Sequence, residues 1–369
     1  MTGIFDVIVV GGGPAGSAAA ITCSANGLRT LLLESDSEPS ERPGETLHPG
    51  LEPLFRSLCI STQVNQADFL RHPGYFLRSE TNPSFQAYGS DRSVQRLGYQ
   101  AERRKLHRIL LDRAIVGGVK VLLGERAIRP RLRGNAVSGL VTGTRAFESR
   151  FVIDASGSSQ WLRRLLPIWS FRVSTLLVAH YGWFDPGHEL EMSSTLPEFR
   201  MVGGGWTWTA PIREDKFAWV SLNLTDRRRS ARLVPDILAR AIPIGKPSAR
   251  DVTWKIARPC AGPGYFLVGD AACALDPASS HGVLMAIMSG MIAADGISKS
   301  LNHSADIVRI QQGYSAWLEG RFCSDAQALI TLYSDMEDPP SWLSAASEAV
   351  RYIASRPSKR PFSSRLTKV

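Results

Sequence analysis

The segment FDVIVVGGGPAGSAAAI, Phe5 to Ile21, constrains this chain more than any other. A short apolar run ends in three glycines, and small residues then continue at helical spacing. In a strand-turn-helix unit, Gly11 permits the tight turn, Gly13 lets the backbone approach a pyrophosphate, and Gly16 lets the helix pack closely on the strand. Pro14 suits the first helical position and Ala15 keeps the turn narrow. The positive helix terminus then faces the phosphates. The next apolar run, RTLLLES, ends at Glu34, about where an acidic residue would hydrogen-bond a ribose hydroxyl. The expected ligand is an adenine dinucleotide.

With 369 residues, 44% of them hydrophobic, the chain can build a large core and two interleaved lobes. No apolar run is read as reaching the ~20 residues that cross a bilayer, and the N-terminus enters a strand without a basic leader, so a cytoplasmic protein with no membrane span is expected. The five cysteines are scattered without C-x-x-C pairing, which supports neither a disulfide frame nor a metal site. The net charge of +9 and the basic tail RPSKRPFSSRLTKV lack the aromatic-basic platform of a nucleic-acid binder. An acidic protein partner, held in part by Arg356, Lys359 and Arg360, fits that charge.

The Pro-rich stretch SDSEPSERPGETLHPG reads as a long loop. ERRKLHRILLDRAI reads as an amphipathic helix, and VKVLLGERAI and ESRFVIDASG read as strands. From Phe171 to Trp254 the runs are aromatic and β-rich, as in an antiparallel sheet inserted into the first lobe. The chain then returns to the dinucleotide lobe with GYFLVGDAACALDPASSHGVLMAI, where a helix begins near Gly282. The expected division is a dinucleotide-binding lobe from 1–69, 98–165 and 256–300, a substrate lobe from 70–97 and 166–255, and C-terminal helices with the tail over 301–369.

The glycine cradle, QAERRKLHRILLDRA, VIDASG and the GD turn together resemble the FAD-binding core of the aromatic hydroxylase and flavin-dependent halogenase superfamily. That resemblance implies an α/β fold: a Rossmann-like FAD-binding domain of glutathione-reductase type, an inserted antiparallel substrate sheet and C-terminal helices. It also implies contacts to FAD from Arg103, Gly269 and Asp270. Pro277, Gly282 and Val283 would lie against the isoalloxazine, where the following helix terminus favours the charge of the reduced ring.

ERPGETLHPGLEPL is similar to the P-G-E segment shared by halogenases and by LodB/GoxB-like flavoproteins of tryptophylquinone biogenesis, and RHPG and YGSD fit the latter. GWTWTAP is similar to the halogenase W-x-W-x-x-P motif. The lysine that a halogenase carries after the P-G-E loop is missing, because no lysine lies between Leu28 and Leu97. Arg71 is a poor substitute for a nucleophilic amine. His281 also stands at the turn where a halogenase has a small hydroxyl residue.

These features favour hydroxylation of an electron-rich ring through a flavin C4a-hydroperoxide formed with O2. The expected substrate is a tryptophan side chain of an acidic quinone-oxidase precursor; halogenation of an indole, phenol or pyrrole, and alkene reduction of the geranylgeranyl-reductase type, are the alternatives. Electrons would come from reduced nicotinamide or a separate flavin reductase. His48 and His281 are the candidate bases, and either could equally fix a turn. Glu45 is a third candidate catalytic residue, and it could equally tie its loop to a backbone amide. Trp206 and Trp208 share one strand face and suit a core or tunnel wall, and Trp161, Trp183 and Trp317 read as packing.

Overall fold

A computed structural model describes residues 4–42, 45–78, 83–91, 94–187, 196–225, 235, 238 and 241–356. Pro43 and Gly44 of the P-G-E loop, and Lys359 and Arg360 of the tail, lie outside the described residues.

The eight-stranded sheet owes its centre to the apolar stretches of three strands, VIVV, LLL and FVI. Phe5–Val10 lies between Thr30–Glu34 and Ala146–Asp154, all parallel. Such strands are covered on both faces, and Val7, Ile8, Val9, Leu31, Leu32, Val152 and Ile153 are each fully buried. Lys120–Leu123 adds a parallel edge, and Tyr265–Leu267 pairs with the far end of Ala146–Asp154. The 265–267 return thereby sets the GD turn beside the glycine cradle.

VKVLLGERAI is two strands rather than the single one expected. Gly124 takes a φ of +71°, which breaks the run into Lys120–Leu123 and Ala127–Arg133. These halves lie on opposite edges of the sheet, because Ala127–Arg133 closes an antiparallel extension through Ala136–Thr142, a strand with a central glycine that period-two patterning misses.

The aromatic region forms a seven-stranded sheet in the order 242–251, 178–185, 216–223, 205–213, 198–202, 74–78, 83–87. Its last two strands come from far upstream, and Gly74–Arg78 joins Glu198–Val202 in parallel. Helices Ile307–Ser334 and Leu343–Ser355 complete the described chain.

The Gly282–His303 helix has 22 residues and is long and apolar enough to cross a bilayer, which corrects the reading that no run approaches that length. Its role in this fold is packing: a Cβ at Gly290 would strike the Ala15 carbonyl, so only glycine lets this helix approach the Pro14–Ala25 helix so closely.

Candidate active site

One cleft of about 690 Å³ runs between the glycine turn, the GD turn and the aromatic sheet. At Gly11 φ is +104°, and a Cβ there would collide with the Ala155 carbonyl, while one at Gly16 would collide with Gly11 itself. Gly13 differs. Nothing lies within 4 Å of its notional Cβ, which would project into open space in front of the helix. The helix that begins at Pro14 has no side-chain cap and no acid in its first turn, so its amides remain free for an anion. Ala15 packs behind the turn against Gly269.

Glu34 ends its strand at the cleft, where Oε2 accepts from the Gly12 amide at 2.6 Å and Oε1 from the Asp36 amide at 3.1 Å. It thus braces the glycine turn as well as facing the ligand space. Arg103, in the first turn of the Arg103–Val116 helix, lines the cleft and donates to His107 Nε2 at 3.1 Å. Burial lowers its pKa to about 10 despite attraction to Glu45 and Asp270.

Gly269 adopts a φ of +56°, its amide donating to Ser289 Oγ, and the next residue, Asp270, pairs with Arg250 at 3.1 Å. Arg250 was not legible in the sequence, since it sits in the inserted sheet, 20 residues before its partner. Pro277, Gly282 and Val283 all line the cleft.

The two candidate bases are brought together, with ring centroids 5.5 Å apart, but neither is among the residues lining the cleft. His48 Nδ1 accepts from the Gly50 amide at 2.9 Å, as a turn-fixing histidine does. Burial, then His281 and Arg96, lowers its pKa. His281 precedes the 282–303 helix and bonds through Nδ1 to Asp325 at 3.1 Å. Arg71 is committed to Glu52 and to the carbonyls of Leu97 and Gly98. Among the described residues that line the cleft there is no lysine.

Glu45 lines the cleft at 5% exposure. Its Oε1 accepts from the indole of Trp183 at 2.8 Å, across 138 residues of chain. Trp183 is therefore more than packing. Beside it, Thr46 Oγ1 accepts from Trp208 Nε1 and donates to Gln100, which in turn meets the buried His72. Tyr181, Phe199, Trp206 and Trp208 form an aromatic wall. Trp183→Phe, which leaves the buried Glu45 oxygen without its indole donor, should lower the unfolding free energy by about 2 kcal/mol, read from urea denaturation midpoints.

A third group of residues was invisible to local spacing. Asp276 is fully buried, with Oδ2 accepting from Trp254 Nε1 at 2.7 Å and Oδ1 from the Tyr333 hydroxyl at 2.9 Å and the Ala278 amide at 3.0 Å. Burial raises its pKa to about 6. Tyr333 in turn accepts from Trp206 Nε1 at 2.9 Å.

An open anion seat at Gly13, glycine-only approaches around it and a half-buried arginine along the same cleft fit a flavin dinucleotide. Residues 6–163 match the FAD dependent oxidoreductase family. Fold and site together define an FAD-binding protein with a Rossmann-like domain. The tryptophan 2-halogenase of Chondromyces crocatus is 26% identical over 376 residues, covering 89% of this chain and 67% of that protein. The digeranylgeranylglycerophospholipid reductase of Methanothrix thermoacetophila is 28% identical, covering 80% of this chain and 78% of its own. In fold, the chain superposes on the myxobacterial chondrochloren halogenase with a TM-score of 0.83 at 24% identity, covering 96% of this chain and 91% of that one.

Proposed function

We propose that this protein is a flavin-dependent halogenase of an electron-rich aromatic ring, using reduced FAD supplied by a separate flavin reductase. The observation that carries this reading is the similarity to a tryptophan halogenase over most of the chain, combined with a W-x-W-x-x-P strand whose two tryptophans line the cleft. Bound FAD supplies the oxidising equivalents from O2 that turn halide into an electrophile.

The chain's own residues do the rest. The wall of Tyr181, Phe199, Trp206 and Trp208 packs against a planar ring and excludes water from it. Substitution replaces a ring proton by halogen, and Glu45, held by Trp183, is placed on the cleft wall to take that proton. Without a lysine among the described lining residues, this reading assigns delivery to hypohalous acid hydrogen-bonded in the cleft rather than to a lysine haloamine.

The same missing lysine favours a second reading, hydroxylation of the ring, including a tryptophan borne by a partner protein. A single assay separates the two. Protein, FAD, a flavin reductase with reduced nicotinamide, O2 and bromide are incubated with tryptophan, a phenol, a pyrrole carboxylate or a tryptophan-containing acidic protein, and products are read by mass spectrometry. A bromine isotope pair is expected on a small ring. Oxygen gained without bromine would transfer the assignment to hydroxylation, and no change in any arm would remove both readings.

A further inference from the structure

We propose that Trp206, Tyr333, Trp254 and Trp342 form an electron relay that drains oxidising equivalents from the cleft to the surface, with Asp276 as its proton acceptor. The inference rests on FAD occupying the cleft and is independent of halogenation. Trp206 lines the cleft and its indole donates to the Tyr333 hydroxyl at 2.9 Å. Tyr333 stacks on Trp254 with ring centroids 6.2 Å apart and planes 29° apart. Trp254 meets Trp342 edge to face at 5.2 Å. Trp206, Tyr333 and Trp254 are fully buried, whereas Trp342 is partly exposed.

An apolar cluster would fill this space without burying a charge. Here a carboxylate is buried instead, an arrangement that destabilises unless each oxygen is satisfied. Both Tyr333 and Trp254 donate to it. That pairing is what phenol oxidation needs, because a tyrosine that loses an electron must also lose its hydroxyl proton, and a base must already be in hydrogen-bond contact. The high affinity of buried Asp276 for a proton suits it to the task.

Each passage moves one electron. A reactive-oxygen oxidant in the cleft, of the hydroxyl-radical class, takes an electron from Trp206, is itself reduced to hydroxide, and leaves the indole cation radical. Tyr333 then gives Trp206 an electron and gives Asp276 its proton. Trp254 returns an electron to Tyr333, which takes the proton back from Asp276, and Trp342 reduces Trp254. A soluble reductant such as ascorbate donates the last electron to Trp342. An oxidant holding two equivalents is discharged by two passages.

Blue-light excitation of FAD-loaded protein, without O2, halide, reductase or ring substrate, provides the oxidant directly. Transient absorption should show tryptophan and tyrosine radicals that ascorbate quenches from solution. Trp342→Phe should abolish ascorbate quenching, and Tyr333→Phe or Asp276→Asn should shorten the radical lifetime by an order of magnitude through recombination. Melting curves establish that each variant is folded; should a core variant not fold, Trp342→Phe at the partly exposed end still decides. Unchanged lifetime and quenching in Trp342→Phe, or no protein radical in the parent, would overturn the relay. Neither result touches the halogenase reading, which the bromide assay tests alone.

Discussion

Gly13→Val is expected to fold and, free of FAD, to melt like the FAD-free parent chain, yet to bind FAD at least about 100-fold more weakly, a loss of about 2.7 kcal/mol. The backbone there has φ −68° and ψ −176°, which any residue adopts, and no protein atom lies within 4 Å of the new Cβ. The side chain therefore strains nothing in the protein and intrudes only where the pyrophosphate must approach the helix amides. Gly16→Val, by contrast, meets backbone and should fail to fold. Fluorescence titration with FAD and thermal melts of both variants check the pair. Normal FAD affinity in a folded Gly13→Val would refute the cradle.

His107→Gln is expected to abolish an acid-sensitive part of the stability. The His107 Nε2 accepts from Arg103, and burial, with Arg103 and Arg42 nearby, lowers its pKa from 6.5 to about 2. A group held neutral in the folded chain but free to protonate in the unfolded one contributes fully above 6.5, and that contribution is lost as pH falls. Between pH 6.5 and 4.5 the loss is roughly 2 kcal/mol. Asp276 acts oppositely in part of that window, since its pKa is raised from 3.8 to about 6 and its contribution is lost as pH rises. The informative quantity is therefore the difference between parent and variant, from urea unfolding at the two pH values. Glutamine keeps an acceptor for Arg103 and cannot titrate, so its curve should lack that slope.

Features built within one turn of chain were legible in the sequence. The glycine cradle, the strand ending at Glu34, the 103–116 helix and the Trp206–Trp208 face each follow from local spacing. What escaped was held together across the chain. Trp183 and Glu45 are 138 residues apart, Asp276 and Tyr333 57, and Trp206 and Tyr333 127. No periodicity announces such pairs, and a tryptophan read as packing gives no sign that its N–H supports a cleft-wall carboxylate. The histidines show the limits of residue type in another way. His48 and His281 have the right chemistry for a base, yet their partners are the Gly50 amide and Asp325, and the cleft is lined without them.

The parallel seam between Gly74–Arg78 and Glu198–Val202 also fixes an order of events during synthesis. Arg78 and Glu198, ion-paired across that seam, are 120 residues apart, so at ribosomal speed the upstream hairpin waits about 6 to 24 s for its neighbour to emerge. Throughout that interval Phe76 and Phe85 belong to a two-stranded ribbon too small to hold itself together. Over that stretch of translation the hairpin's apolar side chains lack the neighbour that covers them, and slow codons between the two segments would lengthen their exposure to aggregation.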